Sequence, residues 1–264
     1  MLFAFPMLIM AEVSFLKARE FDISTEPTVA NYAFFLGNWI YLRVLLKTVG
    51  IALIVTAVCL VLAYPFAYFL LWLPRRWQRT AMVLIIMPFW TSYLLRVYAW
   101  MTILAEHGLV NEALRHLGIL DEPLRFLLHS YFAVVVVSVY LYLPYSVLAL
   151  YTTLERLDFS LVRAAMDLGA SPVQAFRHVV LPLTLPGVLA SFVFVFIPML
   201  GEFVTPRLVG GAEAILIVNI VVSQLRALRF GIAAAMTFVI AGLVLVLLLA
   251  LRRVVNLERV FAAP

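Results

Sequence analysis

Charge is scarce in this sequence. Asp, Glu, Lys and Arg make up 12% of the 264 residues, about half the share in a soluble domain. Cysteine is nearly absent. Cys59 stands alone inside an apolar run, which excludes an internal disulfide and a secreted disulfide scaffold. Lysine occurs only at Lys17 and Lys47, and neither follows the glycine of a G-x4-G-K-[ST] phosphate loop. There is no H-E-x-x-H, no G-x-S-x-G and no carboxylate pair within the apolar runs, and His107, His116, His129 and His178 lack metal-ligand spacing. No catalytic residue and no metal ligand is therefore assigned, and any ATP is expected to bind elsewhere than on this chain.

What fills the sequence instead is apolar: 66% of the residues. A soluble globule of this size cannot hide so much apolar surface from water. An outer-membrane barrel would alternate polar and apolar residues rather than show long runs. The basic excess of +5 is scattered between those runs, unlike the basic face that nucleic acid requires. The composition thus defines a polytopic helical membrane protein, an all-α bundle.

A spanning helix needs about 20 largely apolar residues. Uncharged runs of that length occupy residues 48–74, 130–154, 179–201 and 230–251, and a fifth at 80–105 is interrupted only by Arg96. A sixth, residues 1–16, is short and broken by Glu12. It lacks the basic start and small-residue cleavage site of a signal peptide, so it is read as a short first span. Residues 214–225 are apolar but too short to cross, as expected of an interfacial or re-entrant segment. About six spans place both termini on one side. With the termini inside, the inner segments 73–79, 155–178 and the tail after 251 carry nine arginines and four acids, and the remainder of the chain is neutral. This matches the positive-inside bias and puts both termini in the cytoplasm. Pro65, Pro88, Pro144, Pro186 and Pro198 fall inside the runs. They either shape a transport pathway or simply curve the helices.

The longest polar stretch on the proposed inner face is 155–182. Ser160 is placed to cap a first helix, with Leu161, Ala165 and Leu168 on one face. Gly169 suits the left-handed residue that ends it. Ser171 then caps a second helix with Pro172 at its first position, and Val173, Phe176 and Val180 form its apolar face. Leu181-Pro182 leads back into the membrane. Such an amphipathic elbow either lies on headgroups or inserts into a groove on a partner.

The run Arg163-Ala164-Ala165-Met166-Asp167-Leu168-Gly169-Ala170, followed after nine residues by Val179-Val180-Leu181-Pro182, resembles the E-A-A-x-x-x-G-x9-I-x-L-P loop. That loop marks the permease subunits of binding-protein-dependent ABC importers (the MetI-like family). The resemblance implies a single transmembrane permease domain over residues 1–264. It also implies a coupling helix, at about 155–182, that docks on a cytoplasmic ATP-binding subunit. Arg163, Ala164, Ala165, Asp167, Leu168, Gly169, Ala170, Pro172, Leu181 and Pro182 are the coupling residues so implied. The family's leading Glu is Arg163 here, a charge reversal that touches the polar contacts with the ATPase rather than the mode of docking.

Two further stretches narrow the resemblance to spermidine/putrescine-type permeases: residues 88–100, which contain Trp90, Tyr93, Arg96 and Trp100, and residues 196–211, which contain Glu202. Implied with them are a second, homologous permease subunit, a dimer of ATP-binding subunits carrying ATP and Mg, a periplasmic or surface substrate-binding protein, surrounding membrane lipid, and residence in a bacterial inner membrane. Arg96 and Glu202 each lie sixteen residues beyond an assumed inner-face residue, so straight helices would carry both roughly 24 Å up. Three roles stay open: a gate-forming pair, a cation site in which Glu202 works with Trp90, Tyr93 or Trp100, or snorkelling to the outer headgroups. Gly201, Pro206, Gly210 and Gly211 bracket Glu202, either as an unwound stretch lining the path or as a plain outer turn. The rival class is a stand-alone secondary transporter, which would call for a coupling-ion site and usually an internal repeat.

Overall fold

The computed structural model describes residues 4–19 and 22–254, with side chains described for residues 5–16 and 26–251. The expected inner-face tail residues Glu258 and Arg259, and the side chains of Arg252 and Arg253, lie outside the described part. The elements run α1 (Ala4–Ser14), β1 (Leu16–Arg19), β2 (Asp22–Pro27), α2 (Ala30–Gly37), α3 (Trp39–Trp72), α4 (Arg75–Ile86), α5 (Tyr93–Leu104), α6 (Leu109–His116), α7 (Tyr131–Leu154), α8 (Phe159–Asp167), α9 (Pro172–Ala175), α10 (Leu181–Leu200), α11 (Val204–Val209), α12 (Ile217–Arg226) and α13 (Phe230–Val254). The helical class holds, with one addition: β1 and β2 pair as a small antiparallel ribbon.

Among the described residues, four helical stretches are long and apolar enough to cross a bilayer: Trp39–Trp72, Tyr131–Leu154, Pro172–Leu200 and Phe230–Leu251. The run at 80–105 is not one straight span. It forms two helical pieces, Arg75–Trp90 and Tyr93–His116, bent by 93° at the break. Pro88 lies in the tight turn Met87–Trp90 that ends the first piece, where its ring fixes φ and withholds a donor. The short first span is α1, 11 residues long, or about 16 Å, roughly half a hydrocarbon core. The six expected spans are thus four complete ones, one bent pair and one half-length helix.

The helix α3 begins nine residues before the uncharged run does, and its 34 residues reach roughly 51 Å. Arg43 and Lys47 hid this start by interrupting the hydropathy. Helix continuity tolerates them because Lys47 is accommodated locally: its ammonium donates to Tyr131 Oη at 3.1 Å and sits 5.4 Å from that ring's centre.

The chain divides into two compact units. In the first (residues 1–52, 97–135 and 199–250), Phe35, Ile217, Val221, Ala233 and Met236 form the core. Thr48 Oγ1 accepts from the Ile217 amide at 2.9 Å, which ties the start of α12 to α3. The apolar segment at 214–225 is this ten-residue helix, too short to span, as its sequence implied.

In the second unit (residues 53–96, 136–198 and 251–264), Ala63, Ala67 and Leu70 of α3 pack on Val147, Leu150, Tyr151 and Leu154 of α7 and on Val180. Small residues one turn apart let helix backbones approach closely, the usual device where lipid competes for apolar surface. Gly187 does the same on α10: a Cβ there would lie 2.5 Å from Thr153 Oγ1 and 3.1 Å from the Ala149 carbonyl. Buried hydroxyls bridge these helices, with Ser191 Oγ donating to Ser146 Oγ at 2.8 Å. Cys59 is fully buried in this unit, as a core residue.

Candidate functional site

The elbow folds as two capped helices with a sharp corner. Its first helix, α8, is capped by Asp158 rather than by Ser160: the Asp158 carboxylate accepts from the Ser160 amide at 2.9 Å. An acid suits a helix N-terminus through both the free amides and the dipole. The Ser160 hydrogen bonds hold the Asp158 carboxyl below its ordinary value, and the Arg163 charge assists. Arg163 and Asp167 do not form the i, i+4 pair their spacing permits; ion pairs among the described residues lie at Glu112 with Arg115 and His107, and at Glu106 with Arg125.

Helix α8 ends in a complete Schellman arrangement. The Gly169 amide donates to the Met166 carbonyl at 2.9 Å, and the Ala170 amide to Ala165 at 3.0 Å. Gly169 adopts φ +91°, and no atom lies within 4 Å of where its Cβ would be. Within this chain the left-handed conformation is what calls for glycine. Changing Gly169 to Ala should cost about 1–2 kcal/mol of elbow stability without a steric clash. Faster amide exchange confined to 165–171, with unchanged exchange in the spans, is the expected reading.

Directly after it, Ser171 and Gln174 form a capping box. Ser171 Oγ accepts from the Gln174 amide at 3.3 Å, and Gln174 Oε1 accepts from the Ser171 amide at 2.8 Å. Pro172 occupies the first turn of α9. Leu181-Pro182 opens α10, the span that follows the elbow. The elbow's second helix continues without a break into α10 through one wide turn at Phe176–Val180. Pro182 accounts for that turn: it brings no amide and its ring would strike the carbonyl four residues back, a conflict that a widened turn relieves.

The two faces of the elbow differ. Val162 and Leu157 pack onto the core of the second unit, and Ala175 and Val180 are buried. Leu161, Met166, Leu168 and Val173 face outward, Leu168 at 89% and Val173 at 74% exposure. Apolar side chains are thus held exposed on a doubly capped corner.

The second group of candidates divides between the two units. In the second unit, the Arg96 guanidinium lies 5.3 Å from the Phe89 ring centre and 5.8 Å from that of Tyr93. Phe89 stands edge-on to Tyr145 at 4.7 Å. Arg96 thus lies near the rings of both Phe89 and Tyr93. Trp90 is largely exposed; Trp100, which belongs to the first unit, is half-buried. The 93° bend also removes the straight-helix estimate of Arg96's height. In the first unit, Glu202 is 6% exposed and lies in the break between α10 and α11. Its Oε1 accepts from the amides of Val204 at 2.9 Å and Thr205 at 3.1 Å, which satisfies two free donors of α11. Asn219 donates to the Phe203 carbonyl at 2.8 Å. Gly210 and Gly211 are packing positions: a Cβ on Gly210 would meet Pro206, Val134 and Ala214, and Gly211, at φ +67°, abuts His129. The sequence reading missed the capping roles of Asp158 and Glu202. An acid just before a short apolar helix was the available signal in both places.

Long apolar helices and a bent pair define the class: a polytopic helical membrane protein. The chain belongs to the family described as the binding-protein-dependent transport system inner membrane component, which matches residues 1–259. It is 39% identical over 261 residues to the spermidine/putrescine transport system permease protein PotB of Escherichia coli K12, covering 97% of this chain and 94% of that one. The Salmonella typhimurium SL1344 protein of the same description is equally similar and is covered over 90% of its length. The inner membrane ABC transporter permease protein YdcU of E. coli K12 is 35% identical over 83% of this chain and 73% of its own. The fold is that of a chain in the crystal structure of a bacterial alginate ABC transporter in complex with an alginate pentasaccharide-bound periplasmic protein, with TM-score 0.68, 15% identity and coverage of 93% and 85%. The chain is therefore an ABC importer permease subunit and not an enzyme, and the reading as a stand-alone secondary transporter is set aside.

Proposed function

We propose that this chain carries a polyamine, or a closely related small amine, across the inner membrane as one of two homologous permease subunits. The observation that carries this reading is the 39% identity to PotB along 97% of the chain. The whole chain acts as one permease domain, with both termini and the elbow on the cytoplasmic side. A substrate-binding protein delivers the solute from outside. A separate pair of subunits binds and hydrolyses ATP with Mg.

In this scheme Arg163, Ala164, Ala165, Asp167, Leu168, Gly169, Ala170 and Pro172 present the elbow to the ATP-binding subunit. Leu181 and Pro182 pass its displacement along α10, which is supported by the unbroken helical run from Pro172 to Leu200. Trp90, Tyr93, Arg96, Trp100 and Glu202 belong to the substrate path or its outer gate. The test is ATP hydrolysis by the reconstituted importer with its binding protein. Spermidine or putrescine should stimulate it, and amino acids and sugars should not. Stimulation by an uncharged solute and none by any polyamine would overturn the substrate assignment and leave the family untouched.

A further inference from the structure

At its far end α3 carries an aromatic groove that the transport scheme does not use. The groove is about 530 Å³ and is lined by Tyr64, Pro65, Tyr68, Phe69, Trp72 and Phe176. None of these is charged. The one deep hydroxyl, on Tyr64, is already bonded, 2.6 Å from Thr184 Oγ1. The Tyr64 ring meets Phe176 edge-on at 5.3 Å, so two of the lining rings brace one another. From Tyr64 to Trp72 the groove follows about 12 Å of helix. That is close to the roughly 15 Å depth of one leaflet's hydrocarbon.

Directly beyond Trp72 the chain turns into α4, which opens with Arg75, Arg76 and Arg79, all exposed. Gln78 fixes that turn. Its amide donates to the carbonyls of Leu71 at 3.1 Å and Leu73 at 2.9 Å, and it accepts from Tyr151 Oη at 3.2 Å. The arginines are therefore held beside the mouth of the groove. None of them is in an ion pair among the described residues. The nearby acid is Glu155, which sits against Tyr151. Helix α4 is basic in its first turn and apolar thereafter, the pattern of a helix at a headgroup boundary.

We propose that this groove holds one acyl chain of an anionic phospholipid, whose phosphate is bound by Arg75, Arg76 and Arg79. Arginine matches phosphate geometry through paired N–H groups, and basic pockets at the cytoplasmic boundary select anionic headgroups. Charge complementarity at the mouth and leaflet-length aromatic walls together favour a lipid over a protein segment.

The test uses the transporter assembly containing the full-length chain, in a phosphatidylcholine bilayer. Phosphatidylglycerol with brominated acyl chains is titrated in, and tryptophan quenching is compared between the parent and Trp72→Phe. The difference isolates Trp72. Brominated phosphatidylglycerol should quench it at a far lower mole fraction than brominated phosphatidylcholine. The triple variant Arg75→Gln, Arg76→Gln, Arg79→Gln should raise the half-quenching fraction by on the order of tenfold. Native mass spectrometry of the unsubstituted assembly guards against a folding artefact, and it should show phosphatidylglycerol retained in preference to phosphatidylcholine. Equal quenching by both lipids would reduce the groove to unselective boundary contact. Quenching by neither would mean that protein covers it. A preference that survives the triple variant would remove the arginines. Each of these three results overturns the proposal.

Discussion

Replacing Leu168 by Gln should leave the protein folded and uncouple it from ATP. Leu168 sits at the corner of the elbow with 89% of its surface exposed, so it contributes almost nothing to the packing of this chain. Exposed substitutions of this kind usually change stability by less than about 0.5 kcal/mol. An apolar side chain at the centre of a docking surface is another matter, where truncation costs about 2 kcal/mol or more, or roughly thirtyfold in affinity. Co-purification of the ATP-binding subunit and ATP-dependent uptake should therefore fall together, at an unchanged unfolding temperature. Val173→Gln, at 74% exposure on the next helix, should add to the loss. Ile119→Gln provides the control: Ile119 is also exposed, at 63%, but lies far from the elbow in sequence, so uptake should not change. Full uptake in Leu168→Gln would show that the corner docks on nothing needed for transport.

The elbow was legible because local chemistry dictates it. Gly169 at a left-handed position and Ser171-Pro172 at a helix start are read from residue type alone, and both stand in the structure with their hydrogen bonds formed. What local chemistry left undecided is which of two adequate caps is used. Asp158 and Ser160 both qualify, and the acid took the place. The wide turn at Phe176–Val180, which absorbs Pro182 and keeps the helix going into α10, leaves no such mark in residue type.

Hydropathy located the four complete spans and failed where a charged side chain is hydrogen-bonded within the fold or the chain bends. The beginning of α3 was masked by Lys47, whose partner Tyr131 lies 84 residues away and leaves no mark near it. The break between Trp90 and Tyr93 leaves an apolar composition on both sides, so a run of 26 residues passed for one span. The contact of Arg96 with the Phe89 and Tyr93 rings is likewise not legible from hydropathy.

Glu202 should separate structure from charge when changed in two ways. Its carboxylate accepts two amides at the start of α11, and the residue is 6% exposed. In Glu202→Ala those buried donors lose their acceptor, at about 1–3 kcal/mol each, so the variant should unfold at lower temperature and lose uptake as a consequence. Glu202→Gln retains an oxygen at the same reach, and its unfolding temperature should stay near that of the parent. A glutamine keeps the acceptor oxygen but not the charge that a carboxylate can carry. If the charge draws a cationic substrate along the path, Glu202→Gln should raise the KM for spermidine by about tenfold, equivalent to roughly 1.4 kcal/mol, with little change at saturation. The same variant should recruit the ATP-binding subunit normally, because the elbow is intact. A stable Gln variant with parental KM would confine Glu202 to holding α11 in place and would take it out of the substrate path.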